Sequence, residues 1–241
     1  MKTEFLDILA FGAHPDDVEL SAAGTLLKQH AAGNTIGIVD LTQGELGSRG
    51  TIETRYAEAA AAAEILGVSH RVNLKMADGF FTHSEENLRL VIEQIRRFRP
   101  KIVLMNAFSD RHPDHGKGSK LVSEACFLAG LSKVKTFWEA TPQDAYRPPV
   151  VYHYIQDRFI EPDFVVDVTE FAEQKFESIR AYKTQFWDPT STEPKTPISG
   201  EDFFDFLKGR MSGMGRAIGA QYAEGFCVER TVGVRNLFDL F

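Results

Sequence analysis

Short apolar runs alternate with longer segments in which apolar residues recur every three or four positions, and the alternation is regular through the first half of the chain. FLDILAFGA (5–13) is apolar enough for a buried strand, and VELSAAGTLLKQHAAG (18–33) reads as a helix closing at Gly33. TIGIVDLT (35–42) is a second strand, and ETRYAEAAAAAEILG (53–67) is an alanine-rich helix ending at Gly67. HRVNL (70–74) and SEENLRLVIEQIRRFR (84–99) repeat the pair, the helix stopping before Pro100 because the residue ahead of a proline avoids helical geometry. KIVLMNA (101–107) and GSKLVSEACFLAGL (118–131) complete a fourth unit. Four β-α units in succession predict an α/β fold: a mostly parallel sheet with helices on both faces.

The last third is less regular. PPVVYHYI (148–155) and DFVVDV (163–168) read as strands, TEFAEQKFESIRAYKTQF (169–186) as a helix and WDPTSTEPKTPISG (187–200) as a loop short enough to be a lid or rim. Residues 201–226 read as one helix, broken or frayed near Gly213-Met214-Gly215. No linker or repeat divides the chain, so 1–241 is expected to be one domain.

A net charge of −7 gives no electrostatic footprint for nucleic acid or an anionic membrane, so neither is an expected partner. The two cysteines, Cys126 and Cys227, fall far apart in segments that read as buried. Free thiols in a reducing cytoplasm are therefore expected. The N-terminal run is interrupted by Asp7 and His14 and lacks the pattern of a secretory signal, and no segment is long and apolar enough to span a bilayer.

Charge changes the picture at two places. GAHPDD (12–17) stands where the first strand hands over to its helix, and SDRHPDH (109–115) stands after the fourth strand. In doubly wound sheets ligands bind beyond the carboxyl ends of the strands where the strand order reverses. With the order 3-2-1-4, these two segments meet at one crevice. A dinucleotide site needs glycines in the first turn, whereas Pro15, Asp16 and Asp17 occupy it and would repel phosphates. A divalent cation would neutralise the cluster, with His14 and Asp17 three apart and His115 on the facing loop as candidate ligands. Each segment alone reads more often as a capped helix start or a polar turn than as a metal site; together they point to metal. His30, His70, His83 and His153 lack such a setting and read as surface or packing histidines.

AHPDDVE, GELGSRGTIETR, RHPDH and the late KTQF and YAEGF resemble the LmbE-like, or PIG-L, deacetylases over nearly the whole chain. The resemblance implies a Rossmann-like fold and zinc-dependent N-deacetylation of an N-acetylglucosamine conjugate. The GELGSRGT segment most resembles the bacillithiol biosynthesis deacetylases, which implies N-acetylglucosaminyl-malate as substrate. It places the metal ligands on His14, Asp17 and His115 and the general base on Asp16. It places the group that stabilises the oxyanion or protonates the amine on His112, with Asp114 orienting His112. Substrate binding falls on Arg55, preceded by Glu45, with Arg49 and Arg111 as further arginines for the malate carboxylates, since a bidentate guanidinium suits such groups. Relatives that assemble as homo-oligomers, including hexamers, imply self-association here.

Three protein ligands leave an open metal position suited to hydrolysis, with Asp16 free to take a proton. Two other classes use the same ligand set. Two histidines and a carboxylate also serve Fe(II) in non-haem oxygenases, against which the β-α alternation argues. A non-catalytic sugar-binding protein with a retained metal would have no need of the spare carboxylate of Asp16.

Overall fold

The computed structural model describes residues 4–240. The first four β-α units follow the order that the hydrophobic pattern predicts: β1 (Ile8–Gly12), α1 (Asp17–Ala31), β2 (Ile36–Thr42), α2 (Ile52–Leu66), β3 (His70–Met76), α3 (Glu85–Phe98), β4 (Ile102–Met105) and α4 (Pro113–Ala129), the last beginning at Pro113 and not at Gly118, so that His115 stands on the helix and not on a loop. A small antiparallel pair follows, β5 (Phe137–Trp138) and β6 (Thr141–Pro142), then β7 (Val150–Tyr154), β8 (Phe164–Asp167), α5 (Ala172–Arg180), α6 (Phe203–Arg216) and β9 (Ala223–Val228). The main sheet runs β3-β2-β1-β4-β7-β9-β8. Its first five strands are parallel, and β9 is antiparallel to both β7 and β8. Strands β1 and β4 are neighbours, Ile8 opposite Ile102, so the loops leaving them emerge side by side.

The period of two along β1 divides the core. Ile8 and Ala10 pack with Val18, Ala22 and Leu26 of α1, whereas Leu9 and Phe11 pack with Ile92 and Ile95 of α3 and Leu121 of α4. A strand covered on both faces needs apolar residues at every position, which is why β1 is a continuous apolar run. Fully burying each such side chain contributes roughly 1.5–3 kcal/mol. No helix among the described residues is long and apolar enough to cross a membrane.

Three expectations for the last third are corrected. The helix expected over 169–186 is a 3₁₀ turn followed by α5, which ends at Arg180. The following helix is not broken at Gly213-Met214-Gly215; α6 runs through them to Arg216. The tail of that segment, AEGFCV, is strand β9, inserted between β7 and β8. Glu224 hides this strand from a hydrophobic reading. It is 2% exposed, paired with Lys175 Nζ at 2.6 Å, and accepts from the main-chain N–H groups of Gly24 and Thr25 in α1. Full satisfaction of the charge is what lets a carboxylate lie inside the fold.

Candidate active site

Three loops at the carboxyl ends of β1, β2 and β4 are tied together by main-chain groups. The Ala13 N–H donates to Asn106 Oδ1 at 2.9 Å, and the Ala13 carbonyl accepts from the Thr42 N–H and from Thr42 Oγ1. Asn106 then donates through Nδ2 to Asp17 Oδ2 at 2.9 Å. The two acidic segments thus meet, as the strand order requires. His14 lies in the turn before α1, Asp16 caps that helix, and Asp17 is its first residue. His112 caps α4, so the second motif is itself a helix start.

Asp17 is the hub. His115 Nε2 lies 3.1 Å from its Oδ1 and His14 Nδ1 lies 3.7 Å from its Oδ2. Gln156 Nε2 donates to Oδ1 at 3.1 Å, and the His14 N–H donates to Oδ2 at 3.0 Å. Burial works against the Asp17 charge, but His115 and His14 outweigh it and hold the carboxyl well below its usual range. Each imidazole has its other nitrogen on a second carboxylate: His14 Nε2 on Asp78 Oδ1 at 3.0 Å and His115 Nδ1 on Asp110 Oδ2 at 2.5 Å. Burial opposes protonation of both rings, yet Asp114, Asp17 and Asp78 raise His14 well above its ordinary value, and Asp17 and Asp110 raise His115 to about 9.

A ring held by a carboxylate at one nitrogen, with the other turned to a shared centre, is the arrangement of metal-ligating histidines. His14, Asp17 and His115 fit a zinc or another divalent cation by donor chemistry. His112 also has a ring nitrogen within 4.8 Å of those of His14 and His115. Its Nδ1 accepts from the Asp114 N–H at 3.3 Å, which leaves the proton of the neutral ring on Nε2. Burial, followed by the charges of His14 and His115, lowers its pKa. His112 is thereby a neutral donor. The carboxylate of Asp114 does not orient His112: it accepts from the Gly79 N–H and Lys117 Nζ and lies 3.6 Å from His14 Nε2.

Asp16 stands apart from that centre. Its φ of 111° is a left-handed conformation that costs a non-glycine residue about 1–3 kcal/mol. Arg55 Nη2 donates to the Pro15 carbonyl and lies 3.3 Å from Asp16 Oδ2. Burial first, then Asp17 and Glu19, push the Asp16 carboxyl up against the pull of Arg55 and His14, to about 7.

A cavity of about 320 Å³ opens onto this group, lined by His14, Asp16, Asp17, His112 and His115 and walled by the 44–48 loop and by residues of α6. Thr196, Pro197 and Ile198 of the long loop line it too. Among the residues expected to bind substrate, Arg55 lines the cavity but is committed to Pro15 and Asp16, and Arg111 lines it paired with Asp157 at 3.0 Å. Arg49 lies elsewhere. Its guanidinium donates to the carbonyls of Thr184 and Pro194 and to Ser191 Oγ, fastening the loop behind the wall. Glu45 is outside the lining as well; its carboxylate accepts the Asp78 N–H at 2.8 Å and so supports the acid that orients His14.

Sequence reading missed Asp78, Asp110, Asn106, Gln156 and Arg210. Asp110 lies inside the quoted SDRHPDH, and Asp78 precedes a glycine just after β3, an acid beyond the carboxyl end of the edge strand beside β2. Gln156 and Arg210 come from the irregular last third and carried no such signal.

The sequence signature of the PIG-L family, described as GlcNAc-PI de-N-acetylase, matches residues 9–126. The structure of a conserved protein from Thermus thermophilus, TT1542, superposes with a TM-score of 0.84 at 34% identity, covering 96% of this chain and 98% of that one. A diacetylchitobiose deacetylase from Thermococcus kodakarensis is 28% identical over 76% of this chain and 73% of its own length. A protein of Bacillus anthracis named "Probable N-acetyl-alpha-D-glucosaminyl L-malate deacetylase 2" is 27% identical over 77% of this chain and 84% of its own.

Proposed function

Because the chain belongs to the PIG-L family of deacetylases, we propose that it is a zinc-dependent hydrolase that removes the acetyl group from an N-acetylglucosamine conjugate, with N-acetylglucosaminyl-malate as the substrate. One observation carries this reading: His14 and His115, each held by its own carboxylate, turn toward Asp17 beside a buried, strained Asp16 that lines the same cavity. His14, Asp17 and His115 would hold the ion. When bound, it supplies a Lewis acid for an acyl oxygen and lowers the pKa of water toward about 7.

The remaining steps belong to side chains. Asp16, raised to about 7, takes the proton of the water whose oxygen bonds to the acetamide carbon. Neutral His112 donates from Nε2 to the oxygen that gains negative charge, without needing a second proton. Asp16 then returns its proton to the nitrogen as the C–N bond breaks, and acetate and a free amine leave. Asp78, Asp110 and Asn106 hold the ligands still.

Buried free thiols at Cys126 and Cys227 support a cytoplasmic setting. The exposed Leu237 and Phe238 near the C-terminus support self-association into a homo-oligomer. The test of the substrate is acetate release from N-acetylglucosaminyl-malate, diacetylchitobiose and N-acetylglucosamine by the zinc-loaded protein. Highest kcat/KM with the malate conjugate is expected. A preference for the neutral sugars would remove malate from the reading and leave the deacetylase.

A further inference from the structure

Three arginines line the cavity, and their surroundings set them apart. Arg55 is committed to the Pro15 carbonyl and to Asp16. Arg111 is half exposed and gives its Nε to Asp157 Oδ2. Arg210, on α6, donates through Nη2 to the main-chain carbonyl of Asp157 at 2.7 Å, and no ion pair to it forms among the described residues. Asp157 and Asp110 are the acids whose charge reaches it, but the first is paired with Arg111 and the second holds His115 Nδ1 and the Arg158 N–H. The Phe206 ring lies 4.8 Å from its guanidinium carbon and steadies it from α6. A guanidinium keeps its charge at any working pH, and a cation drawn out of water calls for a counter-charge. Among the described residues no carboxylate pairs with it at the place where a substrate enters, and the two acids within reach are held by other partners.

We propose that Arg210 is the receptor for an oxyanion on the part of the substrate beyond the acetylated sugar, and thereby sets a preference for anionic conjugates. The proposal rests on the hydrolase reading above for its substrate and on the cavity geometry for its site. A carboxylate and a phosphate share the chemistry that a guanidinium recognises. Its Nε and Nη1 donate to no group among the described residues and are left for an oxyanion.

The test compares wild type, Arg210→Gln and Arg210→Lys on N-acetylglucosaminyl-malate, N-acetylglucosamine 1-phosphate and neutral diacetylchitobiose. In Arg210→Gln the ratio of kcat/KM for an anionic substrate to that for the neutral one should fall roughly 10- to 100-fold, the range for a hydrogen bond to a charged group. The change should fall mainly on KM, and Arg210→Lys should recover part of it. Loss confined to the malate conjugate identifies a carboxylate, and loss confined to the 1-phosphate identifies a phosphate. Equal losses on all three substrates overturn the proposal and assign Arg210 to holding the Asp157 loop. Calorimetric titration with L-malate and with inorganic phosphate supplies a readout without turnover. Binding of one of them by wild type, weakened at least about tenfold in Arg210→Gln, supports the receptor, whereas no binding, or equal binding by both proteins, overturns it. If wild type releases acetate from no conjugate, the hydrolase reading fails while these titrations still decide the role of Arg210.

Discussion

The Arg55 guanidinium lies 3.3 Å from the Asp16 carboxylate and shares with it the wall of the cavity. A cation there favours the ionised form of Asp16, the form that accepts a proton. Replacing Arg55 by Gln removes that support and raises the Asp16 pKa. The acid limb of the kcat/KM profile should therefore move to higher pH by about one unit, with similar displacement for malate-bearing and neutral substrates. An unmoved limb with a loss confined to the malate conjugate would return Arg55 to substrate binding.

Asp16 holds a φ of 111°, a conformation open to glycine and costly for alanine. Asp16→Gly and Asp16→Ala both remove the carboxylate, so they differ in backbone strain. The glycine variant should be the more stable by about 1 kcal/mol, read as a higher melting temperature, although both are inactive. Equal melting temperatures would show the conformation to be unstrained.

His112 donates as a neutral ring because the Asp114 N–H points at its Nδ1. Since the neutral ring is the donating form, deprotonation of His112 should cause no loss, and above the acid limb set by Asp16 kcat/KM should stay level. His112→Ala should keep the metal and lose about 10²–10³ in kcat. Loss of stoichiometric metal from that variant would move His112 into the ligand set, beside His14 and His115.

In the metal-free protein the carboxylates around His14 and His115 hold protons on both rings at neutral pH, His115 up to about 9. A metal must displace them. Zinc binding at pH 7.5 should thus release about two protons, read as the slope of calorimetric enthalpy against buffer ionisation enthalpy. Affinity should fall as pH falls, since protons compete more strongly on the acid side. A slope near zero would show both rings neutral before the metal arrives.

The first four β-α units were legible because each buries its strand on both faces, and apolar continuity records that burial in Leu9, Phe11, Val39 and Val103. The meeting of His14, Asp17 and His115 followed from strand order alone. Strand β9 was not legible, because Glu224 pairs with Lys175, a partner 49 residues away that no local pattern discloses. The arginines failed for a related reason. Residue type marks Arg49, Arg55 and Arg210 alike as cations, whereas their roles depend on which carbonyls and carboxylates the fold sets around each.

Metal-dependent amide hydrolysis with Asp16 as the base is read most directly as acetate release from an N-acetylglucosamine conjugate under single-turnover conditions. The zinc-loaded wild type, the metal-free wild type and zinc-loaded Asp16→Asn are run in parallel, with metal content measured on each sample. Rapid release is expected from the first, none from the second until zinc is restored, and a rate lowered by roughly 10²–10⁴ from the third at full metal content. Release by the metal-free protein, or an undiminished rate in Asp16→Asn, would contradict that chemistry.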